Sequence, residues 1–254
     1  MNILALDTST ERLALALQAA GGPWTVLAEG GALASATLLP QVHVLMGRAG
    51  LQIADLDAIA FGQGPGAFTG LRTACAVAQG LAFGLNKAVL AIDSLLIVAE
   101  DARLQRFADA ATLDIAVAMD ARMGEAYAGR YRWAQGRWHT LQAAGLYALP
   151  VLAQVWADAQ AGTAVQAVAG SALLVFSDRV LWPAGAVHIA HEHDRATALL
   201  NLAVQAAEAG EGVDAALALP LYLRDKVAQT TQEREAVRAA ALAATAAAAQ
   251  ATLP

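Results

Sequence analysis

The chain has 254 residues, of which 57% are hydrophobic and 15% are charged, so it must bury an extensive core in one or two domains. Its formal net charge of −6 argues against this chain gripping a nucleic-acid backbone on its own, because such binding relies on clustered Lys and Arg. The single cysteine, Cys75, excludes an internal disulfide and suits a reducing cytoplasm.

The first half of the chain has the pattern of one α/β unit. Apolar runs and alternation predict three strands in an antiparallel meander, at residues 2–7, 11–19 and 24–28. The pattern then predicts, in order, helix 35–49, strand 58–62, helix 68–85, strand 88–92 and helix 94–107. This order is typical of a ribonuclease-H-like unit, and we expect that unit to occupy residues 1–108.

A second unit of the same kind is predicted for residues 109–225. Its pattern predicts strands 113–120, 125–133 and 137–146, helix 149–160, strand 165–169 and helix 195–209. Asp120 ends its first strand as Asp7 ends the first strand of the chain, which is the trace expected of a duplicated fold. Two such units, with mixed sheets flanked by helices, make the actin-like (ASKHA) α/β architecture. Residues 226–254 are rich in alanine and are predicted to form a C-terminal helix or tail.

The stretch GQGPGAFTGLR at residues 62–72 joins a strand to a helix through a tight turn. Its glycines permit positive φ and close backbone approach, and Pro65 cannot continue the strand. The free N–H groups at such a helix start could cradle a phosphate. The stretch lacks the Gly-Lys-Ser/Thr ending of a P-loop, so a tight crossover that merely needs glycine is the alternative.

Within this stretch, GPGAFTGLR closely resembles the GPGSFTGLR signature of the TsaB (YeaZ) family, non-catalytic subunits of the bacterial tRNA threonylcarbamoyladenosine machinery. The matching signature turn is Gly64, Pro65 and Gly66. The resemblance extends from residue 3 to about residue 224, with supporting matches at residues 4–10, 38–40, 55–57, 120–122 and 220–224. The chain departs from the family at Ala67, where Ser is usual. If that serine caps the helix, its loss costs about 1 kcal/mol.

The resemblance places a vestigial nucleotide site at Asp7, Asp120 and Gly170. Actin-like kinases bind ATP between their two units, using Asp residues to position Mg²⁺ and a glycine where the backbone meets phosphate. Here the turn after Asp7 has no glycine, Arg122 stands close to Asp120, and Gly170 has no adjacent glycine. We therefore expect no cofactor. The alternative role for the two carboxylates is to accept hydrogen bonds from turn N–H groups.

The resemblance also implies the loss of a metal site. TsaD, the catalytic relative of the family, holds a metal with a His-x-x-x-His pair, and Ser94 and Val98 fall where the two histidines would be. Neither is a competent transition-metal ligand in that role. His188, His191 and His193 form a separate cluster. We interpret it as surface histidines, because its spacing fixes no carboxylate or cysteine partner.

The helix predicted at 68–85 has small or apolar residues on both sides, so both sides must be covered. The sheet covers one side, and either the helix at 35–49 or another protein covers the other. TsaB is understood to pair with TsaD through the helices of its first unit, and the resemblance therefore favours a protein partner. The predicted interface consists of Leu38, Val42, Leu45, Phe68, Thr69, Arg72, Thr73, Ala76, Gly80 and Phe83.

By resemblance, the chain is a cytoplasmic scaffold or activator of a TsaD-like subunit, which transfers a threonylcarbamoyl group to the adenosine beside the anticodon of tRNA. A TsaE-like ATPase and tRNA would join only through the complex, and the free chain could be a homodimer. No signal peptide or membrane span is predicted. The alternatives are an ATP-dependent small-molecule kinase of actin-like fold, disfavoured by the missing turn glycines, and a metallopeptidase-like protein, disfavoured by the missing histidine pair.

Overall fold

A computed structural model describes residues 1–160 and 165–224. The chain separates into two units, Met1–Leu223 and Arg224–Pro254, and the first contains two five-stranded sheets. The tail predicted at 226–254 lies outside the described residues. Each sheet is built from strands on one side of residue 109, while the division into units at 1–108 and 109–225 stays a prediction.

The first sheet has the predicted meander with two parallel strands added at one side. Its strand order is β3-β2-β1-β4-β5. β1 to β3 pair antiparallel, whereas β4 is parallel to both β1 and β5. These strands are β1 (Ile3–Asp7), β2 (Arg12–Ala19), β3 (Gly22–Glu29), β4 (Ala58–Gly64) and β5 (Ala88–Asp93).

The second sheet repeats this order in strands β6 to β10, as β8-β7-β6-β9-β10. Its strands are β6 (Thr112–Asp120), β7 (Glu125–Ala134), β8 (Arg137–Ala148), β9 (Ala167–Ala169) and β10 (Val187–Ile189). The prediction of two mixed sheets in one α/β architecture is therefore confirmed. The sequence pattern missed β10, because three residues are too few to show a period.

Six helices flank the sheets in the described part of the chain. They are α1 (Ala34–Arg48), α2 (Phe68–Leu85), α3 (Ser94–Arg106), α4 (Leu149–Gln160), α5 (Ala172–Val175) and α6 (Arg195–Glu208). The bounds of α2 and α4 are those predicted from the apolar pattern, and α5, a single turn, was not predicted. No helix among the described residues is both long and apolar enough to cross a membrane.

β1 is buried on both faces, which explains its continuous apolar run. Leu4 and Leu6 pack in the cluster that α1 and α2 cover. Ile3 and Ala5 point to the opposite face and pack with α6. Because side chains alternate along a strand, one five-residue segment thereby anchors two helical layers.

α3 lies between the two sheets. Its Ile97 packs in the core of the first sheet, whereas its Leu95 and Val98 pack against the second sheet. α6 follows the second sheet in the chain but packs on the first, through Leu199 and its neighbours. The pattern predicted this helix but could not show which sheet it covers. α4 and α5 cover the outer face of the second sheet.

Candidate functional site

The signature turn binds the loop after β1 to the start of α2. The hydroxyl of Thr8 donates to the carbonyl of Gly70 at 2.7 Å, and the Ala67 N–H donates to the carbonyl of Ser9 at 2.8 Å. A Cβ at position 70 would overlap the Thr8 carbonyl oxygen, so only glycine permits this approach. The start of α2 is therefore fixed against the end of β1.

The middle of the turn is held from the opposite side. Gly64 has φ +120°, and its N–H donates to the hydroxyl of Ser94 at 3.0 Å. Pro65 is buried, and Gly66 is half-buried beside the Ser9 carbonyl. These contacts support the tight crossover, and no phosphate is needed to explain why the turn requires glycine.

Ala67 stands at the N-cap of α2 and makes no side-chain capping bond. A methyl group has no acceptor for the first helical N–H groups, so the departure from the family serine leaves that end of the helix without a side-chain cap. The position lies at the cleft described below, where the free N–H groups can bond to water.

Asp7, at the end of β1, is fully buried and saturated by protein partners. One carboxylate oxygen accepts from the Ser9 N–H at 2.6 Å, and the other accepts from Arg195 Nη2 at 3.1 Å. The same Nη2 contacts the Ser9 hydroxyl, and Nη1 of Arg195 binds Glu192. Burial lowers the pKa of Arg195, but the carboxylates of Asp7 and Glu192 outweigh this and hold it above its ordinary range. A positive charge thus occupies the place beside Asp7.

Asp120, at the end of β6, is more accessible. Its carboxylate accepts from the Arg122 N–H at 2.8 Å and lies 3.5 Å from that residue's guanidinium, which is 77% exposed. The hydroxyl of Ser171 accepts from the Asp120 N–H at 3.0 Å. Gly170 has φ +116°, and a Cβ there would overlap the Ala118 carbonyl. Both candidate metal-binding carboxylates therefore accept turn N–H groups, as in the structural alternative.

A cleft with a volume of about 650 Å³ lies between the ends of the two sheets. Its wall includes Asp120, Ser171 and Arg195, together with Gly66 and Ala67 at the start of α2. Asp7 is not among the described residues that line it, since its carboxylate has no exposed surface. The sequence predicted a vestigial nucleotide site that uses Asp7 and Asp120, and only the second of these two residues lines the cleft.

The positions predicted to have lost a histidine pair, Ser94 and Val98, are both 2% exposed. They lie in the first two turns of α3, where the Ser94 hydroxyl accepts a hydrogen bond from the N–H of Gly64 in the signature turn. His188 lies in β10, and His191 and His193 are exposed in the loop that follows. The described part of the chain contains no group of three His, Cys, Asp or Glu side chains arranged to hold a metal.

The residues predicted for the partner interface divide into two groups. Leu38, Val42 and Leu45 have no exposed surface and pack inside the first core, so including them in a contact surface was wrong. They follow the apolar period of α1, which marks the face turned to the sheet. The exposed apolar residues of α1 are instead Leu39 and Val44, at 44% and 56%.

α2 has a clear inner and outer face. Cys75, Ala78 and Ala82 are buried against the sheet, so they form the inner face that the sequence could not assign. The outer face of α2, defined here as Thr69, Arg72, Ala76, Gly80 and Phe83, is exposed along the whole helix. Phe68 and Thr73 are half-buried at its margin. α1 therefore does not cover this face, which answers the question left open by the sequence.

The sequence pattern missed the segment that follows α6. Ala218 accepts hydrogen bonds from the Cys75 thiol at 3.2 Å and from Gln79 at 2.9 Å, and the Leu221 N–H donates to Gln63 at 2.8 Å. The segment thus runs beside α2 and brings Tyr222 to the first turn of that helix, where its ring lies 5.0 Å from that of Phe68. Arg195 was missed as well, because a single arginine at a helix start gives no pattern that reveals a distant carboxylate.

Comparison with known proteins decides the family. The family model of TsaD, the tRNA N6-adenosine threonylcarbamoyltransferase, matches residues 33–149. The tRNA threonylcarbamoyladenosine biosynthesis protein TsaB of Escherichia coli is 31% identical over 241 residues, which cover 90% of this chain and 96% of that protein. The chain belongs to the TsaB family. TsaB of Haemophilus influenzae is 37% identical to this family member over 127 residues, which cover 50% of the chain and 52% of the relative.

Solved structures agree with this assignment to the TsaB family. YeaZ from Pseudomonas aeruginosa matches with a TM-score of 0.76 and 38% identity, over 87% of this chain and 99% of that one. A second crystal structure from the same organism, of a protein described by its similarity to the peptidase YeaZ, matches with the same TM-score and identity. Together with the TsaD family model, these matches confirm the predicted actin-like fold.

Proposed function

We propose that this TsaB-family chain is a non-catalytic partner subunit in tRNA threonylcarbamoyladenosine biosynthesis. It holds a TsaD-like subunit in a state competent to transfer the threonylcarbamoyl group to the adenosine beside the anticodon. A TsaE-like ATPase and tRNA join through the assembled complex. The membership in the TsaB family supports the pathway, and the surface of α2 supports the role of a binding partner.

The observation that carries this proposal is the uncovered outer face of α2. It is exposed, largely apolar and open at its centre, because Ala76 and Gly80 leave room for another helix to approach closely. Phe83, at 80% exposure, is among the most exposed large hydrophobic residues described. In this proposal residues 1–108 supply the binding surface and residues 109–225 form the second unit.

The non-catalytic part of the proposal rests on the occupied carboxylate. Asp7 has no exposed surface and is bound to Arg195, so it offers no oxygen to a metal ion in the cleft. Ser94 and Val98 are buried and supply no metal-binding histidine. A chain of this kind contributes to the reaction by binding and positioning its partner rather than by bond-making steps of its own.

Two arginine substitutions only two positions apart, or about 3 Å along the helix axis, distinguish the outer face of α2 from its inner face. Ala76→Arg places a long charged side chain on the outer face, so we expect a folded protein whose affinity for the TsaD-like subunit falls by at least about a hundredfold, or about 2.7 kcal/mol. Ala78→Arg buries a charge without a partner, and we expect it to cost several kcal/mol and to unfold the chain.

Circular dichroism and thermal melting measure folding, and calorimetric titration with the TsaD-like subunit of the same genome measures binding. Ala184→Arg is the control, because it adds the same side chain at an exposed position after the second-sheet helix α5. If the Ala76→Arg protein binds as tightly as the parent, the outer face of α2 is not the interface. If it is unfolded, α2 is covered on both faces within the chain.

A further inference from the structure

The outer helical layer of the first sheet has a charge unlike that of the whole chain. Neither α1 nor α2 contains a single Asp or Glu, although the chain has a net charge of −6. The two helices contain Arg48 and Arg72, and both guanidinium groups lie over aromatic rings. Two adjacent helices that contain arginine and no acidic residue, on an acidic protein, favour a partner that presents carboxylates.

Arg72 is held in place more tightly than an ordinary surface arginine. Its guanidinium carbon lies 3.9 Å from the ring centre of Phe68 and 5.8 Å from that of Tyr222. Its Nε donates to the Tyr222 hydroxyl at 3.0 Å. Among the described residues, the two Nη groups of Arg72 have no hydrogen-bond partner. The cluster of Phe68, Arg72 and Tyr222 is called the arginine clamp below.

The segment after α6 fixes the position of Tyr222 in the arginine clamp. Leu221 donates its N–H to the Gln63 carbonyl, and the Gln63 side chain donates to the Leu219 carbonyl at 3.0 Å. Tyr222 is therefore held in place by the backbone hydrogen bond of the residue before it, Leu221. Stacking and the Nε bond fix the plane of the guanidinium, so little side-chain entropy remains to be lost when its Nη groups bind a ligand.

We propose that Arg72 is a specificity-determining residue, which receives a carboxylate from a helix of the protein partner. A planar guanidinium with two Nη groups unpartnered matches a carboxylate in the bidentate geometry that makes such pairs strong and directional. The inference rests on the proposed function, because it takes the outer face of α2 as the binding surface. It adds the chemistry by which the partner is recognised.

The positions along α2 also define the partner segment. Arg72 and Phe83 are eleven residues apart on one face, which corresponds to about 16 Å along the helix axis. The partner helix is then at least three turns long, with a carboxylate near one end and an apolar pocket for Phe83 near the other. Small or apolar residues pack between them, opposite Ala76 and Gly80.

A second copy of this chain meets these requirements poorly. If two copies docked through α1 and α2, each arginine clamp would face helices that contain no Asp or Glu. Arg72 would lose water without gaining a carboxylate, which is unfavourable for a charged group. The proposal therefore commits to a different protein as the occupant of this face.

The test measures binding of the TsaD-like subunit to the full chain and to three variants. Arg72→Met keeps the length and apolar stem but removes the charge, and we expect the Kd to rise about tenfold. Arg72→Glu reverses the charge, and we expect a rise of at least about a hundredfold. Arg106→Glu, at an exposed position on α3, is the matched control for net charge and should leave the Kd within about twofold.

Two further readouts identify the carboxylate. The Kd of the parent should rise with salt more steeply than that of the Arg72→Met protein. Salt screens the pair between Arg72 and the partner carboxylate, and only the parent has this pair. One Asp→Arg or Glu→Arg change on the partner helix should restore binding to the Arg72→Glu protein. Melting curves confirm that each variant is folded, and Arg72→Met remains informative if Arg72→Glu is not.

The outcomes distinguish this inference from the proposed function. If Ala76→Arg abolishes binding while both Arg72 variants bind as tightly as the parent, the interface is correct and the arginine clamp does not determine it. If Ala76→Arg also binds normally, both proposals are wrong. Sedimentation of the isolated chain provides the last check. If Arg72→Glu abolishes self-association and leaves the Kd for the partner unchanged, the clamp serves a second copy and the inference is overturned.

Discussion

The ends of β1 and β6 occupy the same place in two sheets of the same strand order, yet the aspartates at these ends differ in burial and in their partners. Asp7 has no exposed side-chain surface and is bound to Arg195, whereas the Asp120 side chain is 14% exposed and bound to a solvent-exposed arginine. One carboxylate has become part of the core, and the other remains in the wall of the cleft. Equivalent positions in a repeated architecture therefore need not retain equivalent chemistry.

The difference arises from what packs beside each strand end. At β1, Gly62 leaves the space that the Asp7 carboxylate fills, since a Cβ there would overlap it. α6 then begins at Arg195, which is 3% exposed and brings its guanidinium to that carboxylate. At β6, the neighbouring cation belongs to the turn itself, at Arg122, and extends into solvent. A buried partner converts a candidate metal ligand into a structural ion pair.

Substituting the two aspartates tests this comparison most strongly. Asp7→Asn leaves the Arg195 charge buried with Glu192 as its remaining anion, so we expect the free energy of unfolding to fall by about 3–5 kcal/mol. Asp120→Asn removes a partly exposed pair and should change it by less than about 1 kcal/mol. Urea denaturation near neutral pH measures both values.

The control for this pair is Arg195→Met, alone and combined with Asp7→Asn. If the two groups act as a pair, the double variant should be less destabilised than the sum of the single variants, because neither charge is then left without its partner. Equal effects of Asp7→Asn and Asp120→Asn would contradict the view that only the first strand end has become structural.

A third carboxylate, Asp93 at the start of α3, sharpens the comparison because its closest partner is not a cation. It accepts from the Tyr131 hydroxyl at 2.6 Å and from the Leu95 N–H at 2.8 Å. Burial raises the pKa of Asp93 above its ordinary value of 3.8, and these hydrogen bonds offset the rise only in part. Asp93 therefore binds a proton more strongly in the folded chain than in the unfolded chain.

A raised pKa fixes the sign of the pH effect. The contribution of Asp93 to stability is fully present below pH 3.8 and is lost as the pH rises through the folded pKa, by about 1.4 kcal/mol per unit of pKa difference. Asp93→Asn cannot titrate, so the stability of the parent relative to this variant should decline as the pH rises above about 4. Parallel stability profiles of the two proteins, measured by urea denaturation across this range, would contradict the assignment.

The sequence predicted most of the fold because most of its elements are long and periodic. Apolar spacing alone predicts the bounds of α2 and the presence of the three-stranded antiparallel meander. β10 and α5 are too short to show a period. The same periodicity misled the choice of interface residues on α1, where Leu38, Val42 and Leu45 mark the buried face. The arginine clamp and the Asp7–Arg195 pair join residues 150 and 188 positions apart, and only the folded backbone brings such residues together.

The smallest expected effect is that of Mg·ATP on the isolated chain. A ligand that binds only the folded state at about 100 times its Kd stabilises it by about 2.7 kcal/mol, which a melting curve detects readily. We expect no such shift, because a magnesium ion at the end of β1 would have to displace the Arg195 guanidinium from Asp7. Calorimetric titration measures the same affinity directly.

Micromolar binding of Mg·ATP, with ATP turnover that disappears in the Asp120→Asn protein, would reverse the conclusion that the isolated chain binds no nucleotide. Since that variant should keep its fold, such a result would show that the strand end left open is a working nucleotide site and that the chain is a kinase.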